Sequence, residues 1–295
     1  MPGTAAFVLN RTRVRAWTQV SGHCRAAAAA SGWTPLLLET VTDDADAGLA
    51  RAAVADGAGL VFAVGGDGTV RACAEALAGT GVPLAIVPLG TANLTARALG
   101  IPAGLGAALA VGFGRHERRI DLAVAEGITC AAMAGIGVDA AVVSATPDGL
   151  KARAGWLAYA VAGTRQVFGR RTTFWVRLDG APPLIRRARS VVVGNTGQLP
   201  GGFWLLPGAR IDDGLLDVGI LAPASPLGWV RVGFRVLTAS RRDDRQLERH
   251  RARSVEIQAA GELPREVDGE VIAPGRALTV TVAPGALLVR VPAPR

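Results

Sequence analysis

The segment VFAVGGDGTVRACAEAL, residues 61–77, constrains the fold more than any other part of the chain. Residues 60–64 are an uninterrupted apolar run, which is typical of a strand buried on both faces of a parallel sheet. A glycine-rich turn follows at once, and residues 70–78 have the composition of a helix. The segment therefore predicts a strand, a tight turn and a helix, which is the first part of a βαβ unit.

Similar alternation runs through the first 120 residues. Short apolar runs favour strands at 5–9, 35–38, 60–64 and 84–87, and alanine-rich runs favour helices at 13–31, 45–55, 70–78 and 93–99. Strands that alternate with helices form parallel sheets covered on both faces. Residues 1–122 are therefore predicted to be a three-layer α/β domain with a parallel sheet.

Residues 123–295 have a different pattern, with short β-rich segments between glycine and proline turns. The expected strands are 128–133, 173–178, 190–194, 216–221, 254–258, 278–282 and 286–291, and one helical stretch is expected at 150–168. This pattern predicts a mostly antiparallel β-sandwich, so the fold class is α/β plus β. For the C-terminal tail two placements are open: it stays in this domain, or it returns to the first domain.

Composition limits the classes of partner and site. The 295 residues are 50% hydrophobic and carry a net charge of +8, which suits anionic partners such as phosphorylated ligands or acidic membrane surfaces. The arginines lack the interleaved aromatic residues of a single-strand nucleic-acid surface, so nucleic acid is not expected. The three cysteines are widely spaced and the chain has no CxxC or Cys/His ligand spacing, which favours neither a zinc site nor a disulfide framework.

Two glycine turns are candidates for a ligand site. GGDGT (65–69) and PLGTAN (88–93) each follow a predicted strand and precede a predicted helix. Ligands of open α/β sheets bind at the carboxyl ends of strands, and free N–H groups at a helix start favour phosphate. An acidic residue in such a turn, Asp67, suggests a cation. The alternatives are ordinary glycine turns, with Thr91 or Asn93 as helix caps.

The ordered set of motifs resembles a known family. GGDGTV, PLGTAN and ARALGIP (96–102) are similar to the catalytic domain of the diacylglycerol kinase superfamily. Within it, the chain resembles soluble bacterial lipid kinases related to diacylglycerol and sphingosine kinases. The resemblance continues through AGIGVDAAVV (134–143), residues 191–218 and VDGE (267–270), so it covers essentially the whole chain.

This resemblance implies that residues 1–122 are an ATP- or nucleotide-binding catalytic domain and that residues 123–295 are a lipid-substrate and metal domain. It also implies roles for individual residues. Glu270 is expected to be the general base, with Asp268 supporting the metal network. Mg²⁺ is expected at Asp213 with the backbone carbonyls of Arg210 and Leu215. The residues expected to border ATP are Asn10, Thr40, Gly65, Gly66, Asp67, Gly68, Thr69, Val70, Arg71, Gly90, Thr91 and Asn93.

Several of these residues have plainer interpretations. Thr40 is equally a loop hydroxyl, Asp213 lies in a plausible turn, and Asp268-Gly269 is an excellent hairpin turn. The chain also departs from the family pattern at Arg71 and Leu94. Many relatives have Asn-Glu after the first turn, where this chain has Arg71-Ala72, and many have an acidic residue where it has Leu94.

The resemblance implies ATP- and Mg²⁺-dependent phosphorylation of a lipid hydroxyl, with diacylglycerol as the first expectation. The alternatives are a sphingoid base or another lipid alcohol, an enzyme similar to NAD kinases, and a non-catalytic lipid- or nucleotide-binding member. The protein is expected in the cytoplasm, peripherally bound to an anionic membrane, with a homodimer as an option. Residues 229–242 are a basic amphipathic segment that either lies on that surface or packs in the core with a charged face, and 202–206 is a candidate loop for acyl chains.

Overall fold

The computed structural model describes residues 3–11, 16–40, 43–137 and 171–294. The chain forms two compact units: Met1–Leu122 together with Pro284–Arg295, and Ala123–Ala283. The helix expected at 150–168 lies outside the described residues. Within the ranges described, none of the helices has the length and hydropathy that a membrane crossing requires.

The first unit is an α/β structure. Its parallel strands stand in the order β2-β1-β3-β4. In chain order, its elements are β1 (Thr4–Asn10), α1 (Trp17–Ala30), β2 (Thr34–Thr40), α2 (Asp43–Ala55), β3 (Ala58–Gly65), α3 (Asp67–Leu77), β4 (Leu84–Pro88), α4 (Leu94–Ala98) and α5 (Leu105–Gly112). The predicted parallel α/β domain is confirmed.

Helices cover both faces of this sheet. Helices α2 and α3 pack against one face, and α1 and α5 pack against the other. Helix α5, which the sequence analysis did not identify, approaches the sheet closely because Gly112 has no side chain. A Cβ atom at Gly112 would lie 2.2 Å from the Phe62 ring, which itself stacks on Phe7 with a centroid distance of 4.5 Å.

The second unit is built almost entirely from antiparallel strands. Strand β5 (Glu117–Ala125) leads into it from the first unit. Its other elements are β6 (Ile128–Cys130), β7 (Met133–Gly137), β8 (Thr172–Leu178), β9 (Leu184–Ala188), β10 (Ser190–Gly194), β11 (Leu216–Leu221), α6 (Pro226–Leu237), β12 (Leu247–Ala252), β13 (Ser254–Val267) and β14 (Glu270–Arg290). The predicted antiparallel sandwich is confirmed.

Strand β13 joins the two layers of this sandwich. Its residues 255–259 pair with β8, whereas its residues 265–267 pair with β7 in the sheet β12-β11-β10-β7-β13. The register shifts between these two parts, at Gln258 to Leu263. Because one strand serves both layers, the buried side chains of both, such as Phe174 and Val193, belong to one core.

Strand β14 is divided between the two units. Its residues up to Ala283 belong to the second unit, and the residues from Pro284 onward belong to the first. There, Val289 pairs in parallel with Leu84 of β4, and the Arg290 guanidinium lies 3.2 Å from the Glu117 carboxylate. The assignment of an ATP-binding role to one unit and a lipid-substrate role to the other stays a prediction.

Candidate functional site

The carboxyl ends of four parallel strands form one edge of the first unit. Asn10 lies opposite Thr40 at the ends of β1 and β2, and Gly65 lies opposite Pro88 at the ends of β3 and β4. The chain leaves β1 towards β2 but leaves β3 towards β4, so the order of the strands reverses between β1 and β3. Ligands of open α/β sheets bind outside such a reversal.

The two glycine turns contact each other at this edge. The N–H groups of Leu89 and Gly90 donate to the Gly65 carbonyl oxygen at 2.8 and 3.2 Å. A Cβ atom at Gly90 would lie 2.6 Å from the Gly66 Cα atom, which is too close for any side chain. Glycine is therefore required here by the approach of one backbone to another.

Asp67 braces the second turn. Its Oδ1 atom accepts a hydrogen bond from the Leu94 N–H group, at 2.7 Å, where α4 begins. Asn93, at a positive φ of 48°, binds Gly90 in both directions, through Nδ2 to the carbonyl oxygen and through Oδ1 to the N–H group. The contact uses the backbone N–H group of residue 94. Leucine, which stands where many relatives have an acidic residue, can therefore make it equally well.

The GGDGT turn offers backbone rather than side chains. Thr69 and Val70 are 1% and 3% exposed, so their side chains lie in the core, and the Thr69 hydroxyl oxygen would be 2.6 Å from a Cβ atom at Gly65. Gly66 and Gly68 are half-buried, and Thr91 is exposed. The first N–H groups of a helix have no acceptor within the helix, so the start of α3 can receive an anion.

Thr40 and Asn10 are both buried at the strand edge, with exposures of 3% and 1%. The Thr40 hydroxyl donates to Oδ1 of Asp46, a fully buried carboxylate of α2 that the sequence analysis did not single out. Burial raises the pKa of the Cys73 thiol, and the nearby Asp46 charge raises it further. The structure thus engages Thr40 in an internal hydrogen bond, which supports its interpretation as a structural hydroxyl.

Asp268 and Gly269 form the turn of the β13–β14 hairpin. Both have positive φ, 50° and 82°, and the flanking residues Val267 and Glu270 pair directly, which is the pattern of a type I′ turn. The Asp268 carboxylate accepts the N–H groups of Ala131, Ala132 and Met133 at 2.8 to 2.9 Å. The Cys130 Sγ atom lies 3.2 Å from its Oδ1 atom.

Four donors occupy the Asp268 carboxylate, so this side chain anchors the segment 130–133 against the hairpin. The Asp268 N–H group also donates to the Met133 carbonyl oxygen, at 2.7 Å. Burial, followed by the charge of Asp268, raises the pKa of the Cys130 thiol well above its usual value, which keeps the thiol protonated as a donor. These contacts support a positioning role for Asp268 rather than direct contact with a metal or substrate.

Glu270 is presented differently, at the exposed first position of β14. It directly follows the anchored turn, and its neighbour Val271 is 54% exposed. An exposed carboxylate in this position is accessible to a substrate, and its role as the general base stays a prediction. Glu266, four residues earlier, is instead 6% exposed and packs beside Gly135, and no local pattern in the sequence predicts this buried acid.

The predicted metal ligands lie in the loop before β11. The Asp213 Oδ1 atom accepts the Leu215 N–H group at 3.2 Å, and its Oδ2 atom lies 3.8 Å from Nη1 of Arg251. Arg251 also contacts Asp217, whose pKa is raised by burial even though the guanidinium opposes that shift. Among the described residues, no group of three or more His, Cys, Asp or Glu is arranged to hold a metal.

A smaller all-oxygen ligand set still suits Mg²⁺, which binds through one or two carboxylates and keeps several waters. The Asp213 side chain is 18% exposed, and Asp213 lies in the same short loop as the carbonyl groups of Arg210 and Leu215. The chemistry of these donors fits the ion, and the ligand set stays a prediction.

Two families match the chain in order. Residues 5–125 match the diacylglycerol kinase catalytic domain, and residues 132–291 match the YegS C-terminal NAD kinase beta sandwich-like domain. A probable lipid kinase YegS-like protein of Pseudomonas aeruginosa is 39% identical over 266 residues, which cover 88% of this chain and 85% of that protein. The chain belongs to the YegS-like lipid kinase family.

Other relatives of this lipid kinase agree with that placement. A probable lipid kinase YegS-like protein of Pseudomonas fluorescens is 37% identical, over 89% of this chain and 87% of its own. A putative diacylglycerol kinase from Bacillus anthracis shares the fold, with a TM-score of 0.82 and 23% identity over 98% of this chain and 95% of its own.

An NAD kinase from Archaeoglobus fulgidus, solved in complex with ATP, is also similar in fold. Its TM-score is 0.52 and its identity 11%, over 97% of this chain and 93% of that one. Membership of a kinase family makes the protein a phosphotransferase and implies the use of ATP.

Proposed function

We propose that this lipid kinase transfers the γ-phosphoryl group of ATP to the hydroxyl of a lipid alcohol, in a reaction that requires Mg²⁺. Diacylglycerol, which would yield phosphatidic acid, is the first choice of acceptor, and a sphingoid base or another lipid alcohol is the second. The observation that carries the proposal is the similarity to probable lipid kinases, at 39% identity over 88% of the chain.

The strand edge of the first unit supports the nucleotide part of the proposal. The glycines at positions 65, 66, 68 and 90 let the backbone approach phosphate oxygens closely, and the start of α3 supplies N–H groups. Asn10, Arg71 and Thr91 would border the nucleotide at the same edge. Asp67 and Asn93 would act through the shape of the two turns, because their polar atoms bind backbone groups there.

The hairpin of the second unit supports the acceptor part. Glu270 would take the proton from the attacking lipid hydroxyl, and Asp268 would hold the turn that presents it. When bound, Mg²⁺ would offset the charge on the transferring phosphoryl group. Asp213 and the carbonyl groups of Arg210 and Leu215 would hold the ion.

The proposal also includes a cytoplasmic location, peripheral contact with an anionic membrane and a homodimer as an option. These three expectations come from the sequence.

Transfer of label from γ-labelled ATP tests the proposed function directly. The purified protein is incubated with Mg²⁺ and, separately, with diacylglycerol, sphingosine, NAD or no acceptor. Label in a lipid product identifies the lipid kinase and its acceptor class. Label in NAD would contradict the proposal, and ATP binding without transfer to any acceptor would favour the non-catalytic alternative.

A further inference from the structure

Helix α6 presents apolar side chains to solvent. Leu227, Val230, Phe234 and Leu237 are 60%, 57%, 65% and 49% exposed. Their spacing of three, four and three residues places them along one side of a helix that turns by roughly 100° per residue. We call these four residues the apolar stripe. Of the two charged residues of α6, Arg231 is exposed and Arg235 is half-buried, so the usual polar outer face is missing.

The opposite side of α6 belongs to the core of the second unit. Val232 and Val236 are 4% and 6% exposed and pack with Leu205, Leu206 and Leu247. This arrangement corrects the expectation that a core-packed segment here would carry a charged outer face. Leu205 and Leu206 are buried as well. These two residues of the segment 202–206 therefore do not present a surface to acyl chains, contrary to the expectation from the sequence.

Helix α6 is well defined at both ends. The Ser225 Oγ atom accepts the Gly228 N–H group at 3.2 Å, and Pro226 occupies the first turn. At the other end, Ala239 has a positive φ of 49°, and the Ser240 N–H group donates to the Arg235 carbonyl oxygen at 2.9 Å. The apolar stripe is therefore preformed and does not need a partner to order it.

Arginines lie beside the apolar stripe and directly after it in the chain. Arg231 lies on the same side of the helix, and Arg241, Arg242 and Arg245 are exposed just after it. Two aspartates lie among them, but each has its own partner: Asp243 pairs with Arg249 and Asp244 pairs with Arg235, both at 2.9 Å. The border of the stripe is therefore positively charged.

We propose that the apolar stripe and its arginines dock α6 onto an anionic phospholipid bilayer, with the helix lying in the interface. An apolar face flanked by cations is the chemistry that such a surface selects. A second copy of the chain fits less well, because two identical arginine borders would repel each other. The inference rests on the proposed function, which already includes peripheral contact with an anionic membrane, and it names α6 as the surface that makes this contact.

Co-sedimentation with vesicles of phosphatidylcholine, with and without phosphatidylglycerol, tests the docking without any ATP. The wild-type protein should bind the anionic vesicles more tightly, and the double variant Leu227→Asp/Phe234→Asp should lose about tenfold or more in partition coefficient. Ile185→Asp is the matched control, because Ile185 is a 58% exposed apolar residue of β9 outside the stripe. It should bind as the wild type does.

A second variant tests the charged border. Arg241→Gln/Arg242→Gln should weaken binding to anionic vesicles about fivefold per arginine and reduce the salt dependence, with no change on neutral vesicles. Unchanged binding by both double variants would overturn the proposal. So would absent vesicle binding together with a dimer, seen by light scattering, that Leu227→Asp/Phe234→Asp dissociates.

Phosphorylation assays separate this inference from the proposed function. On a short-chain, water-soluble diacylglycerol the stripe variant should turn over like the wild type, whereas on vesicle-embedded diacylglycerol it should lose activity in proportion to binding. A wild-type protein that binds vesicles but phosphorylates no lipid would contradict the proposed function and leave the docking surface standing.

Discussion

Asp67 and Asp268 occupy comparable places in the two units. Each stands beside glycine in a tight turn, and each accepts backbone N–H groups from another segment of its own unit. The Leu94 N–H group donates to Asp67, whereas the N–H groups of Ala131, Ala132 and Met133 donate to Asp268, which the Cys130 thiol also contacts. The comparison shows that an aspartate in a conspicuous motif can serve to hold two segments together.

Glu270 and Asp213 complete the comparison as the two carboxylates with proposed chemical roles. Glu270 is exposed at the start of β14, and the Asp213 carboxylate accepts the N–H group of Leu215 inside its own loop. The proposed roles require these two carboxylates to reach a ligand, whereas Asp67 and Asp268 are proposed only to hold backbone segments. The following predictions test this division, beginning with the largest expected effect on stability.

Asp268→Ala should lower the free energy of unfolding of the protein by about 3–5 kcal/mol, because three N–H groups lose a charged acceptor and alanine disfavours positive φ. Asp268→Asn keeps one oxygen and tolerates this φ, so its loss should be smaller. Urea unfolding measures both values. A loss below about 1 kcal/mol for Asp268→Ala would contradict the anchoring role.

Gly90→Ala should destabilise the first unit by about 1–3 kcal/mol, because the new methyl group would collide with backbone atoms of the other turn. Gly106→Ala is the matched control: nothing lies within 4 Å of a Cβ atom there, and the residue is helical. That control should stabilise the protein by up to about 1 kcal/mol. Equal effects of the two substitutions would show that the turns do not touch.

Asp67→Ala should cost about 1–2 kcal/mol, since one N–H group at the start of α4 loses its acceptor. The second turn should then loosen, and KM for ATP should rise. Asp67→Asn preserves an acceptor oxygen and should retain most of the stability. If Asp67→Ala left KM for ATP unchanged, the contact of Asp67 with the second turn would have no role in nucleotide binding.

The Cys130 thiol gives the smallest expected effect. Its pKa is raised well above 9.0 in the folded protein, first by burial and then by Asp268. The unfolded thiol releases its proton near pH 9.0, whereas the folded one keeps it, so stability falls as the pH rises. Between pH 9.0 and pH 10, the free energy of unfolding should fall by about 1 kcal/mol for this reason.

Cys130→Ala provides the control for that pH dependence. Unfolding free energies between pH 8 and pH 10 should fall less steeply in this variant than in the wild type. If the unfolding free energy depended on pH identically in both proteins, the prediction that burial and Asp268 raise the pKa of the Cys130 thiol would be contradicted.

The sequence carried enough information to predict the parallel sheet and its glycine turns. Leu60–Val64 is uniformly apolar because β3 is buried on both faces, and the glycine at position 90 is required because a Cβ atom there would collide with Gly66. Family resemblance then supplied residues such as Glu270 that no local pattern distinguishes from an ordinary hairpin position.

Other features depend on contacts that sequence patterns do not contain. Asp46 and Glu266 are acids whose burial is set by distant segments, and the hydroxyl of Thr40 meets its partner only in the folded unit. In α6, apolar residues occur on both sides of the helix, so the spacing predicts a helix but does not say which side is buried. The exposure of Phe234 and the burial of Val232 follow from packing against β12 and the loop before β11.

The rate of phosphoryl transfer by Glu270→Gln tests the central claim most directly, with Glu262→Gln, an exposed glutamate of the same hairpin, as its control. The account predicts that Glu270→Gln lowers kcat on the lipid acceptor by about 10²–10⁴-fold, as expected for loss of a general base. Its unfolding free energy should stay within about 0.5 kcal/mol of the wild type, and Glu262→Gln should be fully active. A Glu270→Gln variant that turns over like the control would contradict the account.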